Sequence, residues 1–120
     1  MKVSLQEALA RVPGAKGERF AVAFERGSIT VEVYAPRGTD PQSPHKRDEL
    51  YIVAAGQGTF VCGDRSDRFG AGDFLFVPAG VVHRFVDFTD DLVVWVVFYG
   101  SEGGESPLMH QVLDQAQESG

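Results

Sequence analysis

The sequence predicts an all-β domain, a small barrel with a short helix at each end. Three observations predict it. Apolar and polar residues alternate with a period of two from Arg19 to Phe24 and from Ile29 to Tyr34. Short strand-like runs then recur along the chain, separated by turns rich in Gly, Pro and Asp. No helical segment interrupts those runs, which excludes a parallel α/β sheet with its crossover helices.

Each element has a local reason. Ser4-Leu-Gln-Glu7 has the form of a capping box, and Leu5, Ala8, Leu9 and Val12 recur at helical spacing, so a helix is predicted over about 4–12, ending at Pro13-Gly14. Phe20, Val22 and Phe24 share one strand face, Glu25-Arg-Gly-Ser28 turns, and Ile29, Val31 and Val33 alternate with Thr30, Glu32 and Tyr34, which reads as a hairpin. Pro36 to Pro44 is a loop. Strands follow near 47–54, 58–62, 66–69, 74–77, 82–88 and 92–99, divided by Gly56-Gln-Gly58, Gly63-Asp64, Gly70-Ala-Gly72-Asp73, Pro78-Ala-Gly80 and Thr89-Asp-Asp91. Ser106-Pro107 opens a C-terminal helix over about 107–117. The expected organisation is a single domain over residues 1–120 with a barrel core at about 19–100.

Two strands are apolar on both faces: Leu50, Ile52 and Ala54 against Tyr51 and Val53, and Leu92, Val94, Val96 and Phe98 against Val93, Trp95 and Val97. A strand buried on both sides needs a second layer over each face. One face lines the barrel, and the other predicts a homodimer.

Bulk properties narrow the function classes. Apolar residues make up 43% of the chain and charged residues 23%, a globular balance rather than a disordered one. The formal charge of −6 repels phosphate backbones and anionic membranes, so neither nucleic acid nor a membrane is an expected partner. The single cysteine, Cys62, permits no intrachain disulfide and reads as a small core residue. The N-terminal MKVSLQEALARV has no continuous apolar stretch, and the longest apolar run, Leu92 to Tyr99, is too short for a membrane helix. The expected location is the cytoplasm.

The chemistry is concentrated in Ser43–Gly56 and Gly72–Asp87. Together they offer His45, Glu49 and His83, two imidazoles and one carboxylate, the donor set of a divalent transition metal (Fe, Mn, Ni, Co or Zn) with open coordination positions. Read as one strand, His45 and Glu49 fall on the same face, with Arg47, Tyr51 and Val53. His83 and Phe85 share a face of another strand, and Trp95 joins them in one register. Asp48 has the opposite parity and is the runner-up ligand. His110 reads as a surface or packing residue. Arg47 and Tyr51 are candidates for holding a carboxylate or enolate, with Phe85 and Trp95 beside them as binding residues, and Tyr51 is the nearest acid/base candidate.

These two segments resemble the paired motifs of the cupin superfamily. In the first, G-x5-H-x-H-x(3 or 4)-E-x6-G, His45 matches the second histidine, Glu49 the carboxylate and Gly56 the closing glycine. In the second, G-x5-P-x-G-x2-H-x3-N, Gly72, Pro78, Gly80 and His83 match, and Asp87 replaces the Asn. Ser43 stands where the family has its first metal histidine, and the leading glycine is one place off, at Gly38. The resemblance covers about Gly38 to Tyr99. It implies a double-stranded β-helix of jelly-roll type holding a metal on His45, Glu49 and His83. It also implies a metalloenzyme acting on a small oxygenated organic molecule, of dioxygenase, isomerase or lyase type. The alternative is a non-catalytic module that senses or binds a small molecule or metal.

Overall fold

A computed structural model describes residues 1–105. A helix, α1 (Leu5–Leu9), is followed by eight strands: β1 (Phe20–Arg26), β2 (Ile29–Tyr34), β3 (Asp48–Ala55), β4 (Gly58–Cys62), β5 (Arg65–Phe69), β6 (Phe74–Val77), β7 (His83–Val86) and β8 (Val93–Tyr99). Ser4 caps α1 by accepting the Glu7 N–H at 3.0 Å, as the capping box predicts. The helix is shorter than the predicted 4–12 and ends at Leu9. The predicted C-terminal helix and His110 lie outside the described residues.

The strands form two antiparallel sheets, one ordered β1-β2-β8-β3-β6 and one ordered β5-β4-β7. They face each other without a ladder joining them among the described residues. Tyr51, Val53, Leu75, Val77, Val94 and Val96 from the larger sheet pack on Phe60, Phe69 and Phe85 from the smaller one. Rings meet edge to face across this core: Tyr51 lies 5.5 Å from Phe60 and 5.1 Å from Phe85, centroid to centroid.

The glycine of the first motif has a steric reason. Gly56 ends β3 at φ +91°, and a Cβ there would stand 2.6 Å from the Leu92 Cα. The close approach lets the β3–β4 turn rest on the start of β8, where any other residue would meet backbone. Asp87 ends β7 at φ 51°, the one positive φ among non-glycine residues described. Asn and Asp are the side-chain-bearing residues that tolerate this region best, so the family's Asn and this chain's Asp serve the same turn.

The larger sheet is apolar on both faces, as expected, but the assignment of faces in β2 is instructive. Val31 and Val33 point outward, and Val33 is sealed where α1, with the fully buried Ala8, packs on β1 and β2. Thr30, Glu32 and Tyr34, the polar set, point inward to a cavity. Beyond α1 the outer face keeps Ile29, Ile52 and Phe74 exposed, at 41%, 38% and 58%.

Candidate metal centre

Glu49 lies on β3 and His83 opens β7 on the opposite sheet, so the fold brings them together across the core. Glu49 is fully buried and His83 is 2% exposed. His45 is in the loop before β3, not on the strand, so its approach to Glu49 rests on loop contacts rather than strand parity. Two of these contacts come from the Pro78-Ala79-Gly80 turn. The Gly80 N–H donates to the His45 carbonyl at 2.7 Å, and the Ala79 N–H donates to the Asp48 carboxylate at 2.9 Å. The turn of the second motif thereby fastens the histidine of the first.

The cluster is tight. Glu49 Oε1 lies 2.8 Å from His45 Nδ1 and 2.9 Å from His83 Nε2. The three residues each offer a ligand atom within 4.8 Å of the others. His83 Nδ1 is 2.8 Å from the Val81 carbonyl, which can only accept, so the proton sits on Nδ1 and Nε2 is directed at Glu49. Among the described residues the buried Glu49 Oε2 has no hydrogen-bond partner, and His83 Nε2 faces only Glu49 Oε1, to which it can donate only when the ring is protonated. Buried polar atoms are almost always satisfied. A partnerless buried oxygen and two imidazole nitrogens 2.8 and 2.9 Å from the other oxygen of the same carboxylate make a nitrogen–oxygen donor set that fits a divalent transition ion.

Electrostatics follow from the same contacts. Burial pushes the Glu49 carboxyl up, but His45 and His83 together outweigh it and hold its pKa below the ordinary value. For His83, burial disfavours the charged ring, yet Glu49 and the Val81 carbonyl prevail and raise its pKa.

A cavity of about 710 Å³ reaches this centre at His45, bounded among others by Thr30, Glu32, Tyr34, Arg47 and Phe98. Glu49 and His83 lie behind His45. The remaining predicted residues are placed as follows. Arg47 lines the cavity, but its guanidinium is tied to the Ser28 carbonyl and to Thr30 Oγ1 and lies over the Phe98 ring. Tyr51 is fully buried beside His83 and donates its hydroxyl to Gln42 Oε1 at 3.0 Å. Burial and the Glu49 charge raise its pKa well above the ordinary value, so its hydroxyl keeps its proton and donates it in the bond to the loop. Phe85 is 1% exposed and packed among Tyr51, Phe60 and Phe69, away from the cavity wall. Trp95 is a correction. Its neighbours Val94 and Val96 take the buried inner positions, and Trp95 pairs in register with Ile52 and Val33 on the outer face. Asp48 is buried with both oxygens engaged, by Ala79 N–H and by Glu105 N–H at 2.8 Å, and belongs to no metal cluster among the described residues. Ser43 is exposed and takes no part. Cys62 lies opposite His83, with burial raising its thiol pKa.

Sequence reasoning missed three polar residues. Asp40 is 8% exposed and accepts from the Tyr34 hydroxyl, from Gln42 Nε2 at 2.7 Å and from the Phe85 N–H at 2.7 Å. With Gln42 passing the chain on to Tyr51, it clasps the loop before His45 to both sheets. Glu32 was hidden by its place in an alternating strand, whose polar side faces the cavity.

Two facing antiparallel sheets with a His–Glu–His cluster between them, open to the cavity at His45, define a double-stranded β-helix protein with a candidate metal centre. Residues 30–99 match the family described as the cupin domain, and the chain belongs to that family. A curated relative, an uncharacterized protein of Streptomyces coelicolor, is 42% identical over 60 residues, half of this chain and 57% of that protein, so the chain spans little more than half of the relative's length. Among solved structures, a suggested mannose-6-phosphate isomerase from Ralstonia eutropha is 26% identical, with 84% of this chain and 100% of that chain covered and a TM-score of 0.60. A cupin 2 conserved barrel domain protein from Salinispora arenicola (20% identical, 84% and 90% covered, TM-score 0.64) shares the fold. So does an RmlC-like cupin with a double-stranded β-helix from Methanocaldococcus jannaschii (20% identical, 72% and 84% covered, TM-score 0.59).

Proposed function

We propose that this cupin holds a divalent transition metal on His45, Glu49 and His83 and acts on a small oxygenated organic molecule, in a reaction of dioxygenase, isomerase or lyase type. The observation that carries the reading is the buried three-residue donor set, in which Glu49 Oε2 has no partner among the described residues and His83 Nε2 faces only the other oxygen of the same carboxylate. When bound, the metal supplies Lewis acidity or, if it is iron, oxygen activation. The chain's own contribution is positioning. Glu49 and His83 exclude water from one side of the centre, the 710 Å³ cavity is of a size for a small ligand, and Arg47 presents a fixed positive charge in its wall. The name of the Ralstonia relative favours the isomerase type. A non-catalytic sensor is the second reading, because Tyr51, the candidate acid/base group, is committed to Gln42.

Elemental analysis of the purified protein by plasma mass spectrometry tests the centre. One transition metal near one equivalent per chain is expected, and its identity selects between oxygen chemistry and Lewis-acid chemistry. No metal, even after reconstitution with each candidate ion, would leave a metal-free binding module.

We further propose a cytoplasmic homodimer formed through the outer face of the larger sheet, where Ile29, Ile52 and Phe74 are exposed. No helix among the described residues is long and apolar enough to cross a membrane. Light scattering should give twice the 13.0 kDa of one chain. A mass of one chain would remove the dimer.

A further inference from the structure

Glu32 is a half-buried carboxylate of the cavity without a partner among the described residues; Glu102, likewise unpaired, is exposed. The Glu32 side chain points inward from β2, in the row formed with Val96 of β8 and Tyr51 of β3. It is half-buried, and no hydrogen bond or ion pair reaches it among the described residues. His45 and Glu49 act on it only through their charges.

The surrounding charge decides what it can meet. Four cationic side chains, Arg19, Arg37, Lys46 and Arg47, line the cavity against the carboxylates of Glu18, Glu32 and Glu102. In a chain of formal charge −6 this is a local excess of positive charge. Arg19, Arg37 and Arg47 donate to the carbonyls of Ala35, Asp90 and Ser28. Those bonds fix the cations in place without cancelling their charge. Such a lining selects an anionic ligand. A carboxylate within it repels the anionic end and is matched by a neutral donor, a hydroxyl.

Building on the proposed site, we infer that the cavity takes a small hydroxylated carboxylic acid, its carboxylate met by the cationic rim and one of its hydroxyls donated to Glu32. Glu32 is then the residue that separates a hydroxylated acid from a plain one. A site that hydrogen-bonds a ligand hydroxyl rejects the analogue that lacks it.

The test is titration calorimetry of the full chain with gluconate and hexanoate, six-carbon acids with and without hydroxyls. Metal content is measured on the same samples. The wild type is expected to bind gluconate at least about 10-fold more tightly than hexanoate. Glu32→Leu should weaken gluconate by about 10- to 100-fold and leave hexanoate unchanged or somewhat tighter, since the carboxylate that repels an anion is gone. Glu32→Gln, which keeps an acceptor oxygen, should recover part of the loss. Equal binding of the two acids by the wild type, no binding of gluconate, an unchanged gluconate affinity in Glu32→Leu, or a parallel loss of both acids would each overturn the inference. Metal content separates this from failure of the site itself. A wild type that takes up no metal removes the metal reading, while the Glu32 comparison is still read in that protein.

Discussion

His83→Ala is expected to lower metal affinity by at least about 100-fold, because replacing groups that only orient a ligand already costs about 10- to 100-fold. His83 is the ligand the fold holds most firmly. It opens a strand, is 2% exposed, and its Nδ1 is fixed by the Val81 carbonyl, so Nε2 has one direction available. Without it the donor set shrinks to Glu49 and a histidine carried by a loop. The metal-free protein should also lose stability, by roughly 3–5 kcal/mol, because a buried carboxylate that loses a partner is strongly destabilising. The measurement is a metal titration against a competing chelator, with circular dichroism to follow the fold. Asp48→Ala is the comparison. Both Asp48 oxygens serve backbone N–H groups, so that variant removes no donor atom and should lose stability while losing far less metal affinity than His83→Ala, the loss coming only through the loop that carries His45. Unchanged metal affinity in folded His83→Ala would remove His83 from the centre, and a loss confined to Asp48→Ala would replace it with the runner-up.

The contrast between these two residues marks where sequence reasoning ends. Strand periodicity separates the two faces of β3 correctly, which sets Glu49 with Tyr51 and Val53 and turns Asp48 away. Turn chemistry places Gly56, Gly63 and the Pro78-Ala-Gly80 turn, because those residues act locally. Periodicity does not say which face is interior. In β2 the apolar side is sealed from outside by α1 and the polar side lines the cavity, so alternation alone does not single out Glu32 as a cavity residue. The same ambiguity let Trp95 be placed in the pocket when it stands on the outer face. His45 joined the centre for a reason strand parity cannot supply, since its loop is fixed by Gly80 and the Asp40–Gln42 clasp. Hydrogen bonds between a loop and distant strands exist only once the two sheets have met, and no local pattern announces them.

The pH dependence of stability should reverse when metal is added, with the metal-free and loaded proteins moving in opposite directions above pH 6.5. In the metal-free protein the pKa of His83 is raised above its ordinary 6.5. Its contribution is therefore fully present below that pH and is lost as pH climbs through the raised value. Glu49 is depressed below its ordinary 4.5, so its contribution is present above that pH and is lost as pH falls through the lower value. Glu32, pushed up mainly by burial, works against Glu49 at the acid end. The alkaline limb is the decisive one. Tyr34, Tyr51, Cys62 and Tyr99 are also raised, from ordinary values of 9.0 or 10.0, and so titrate above it. From pH 6.5 up to the range of those groups, His83 is the group whose raised pKa moves stability. The Tm of chelator-treated protein should peak between pH 4.5 and 6.5 and fall as pH rises beyond 6.5. The metal needs the imidazole free of its proton, so affinity, and with it the Tm of the loaded protein, should rise over the same interval. The gap between the two curves is the readout of the centre. Parallel curves would mean that metal and proton do not compete for His83, and a metal-free Tm that climbs above pH 6.5 would mean that Glu49 does not favour the protonated His83 ring across their 2.9 Å contact.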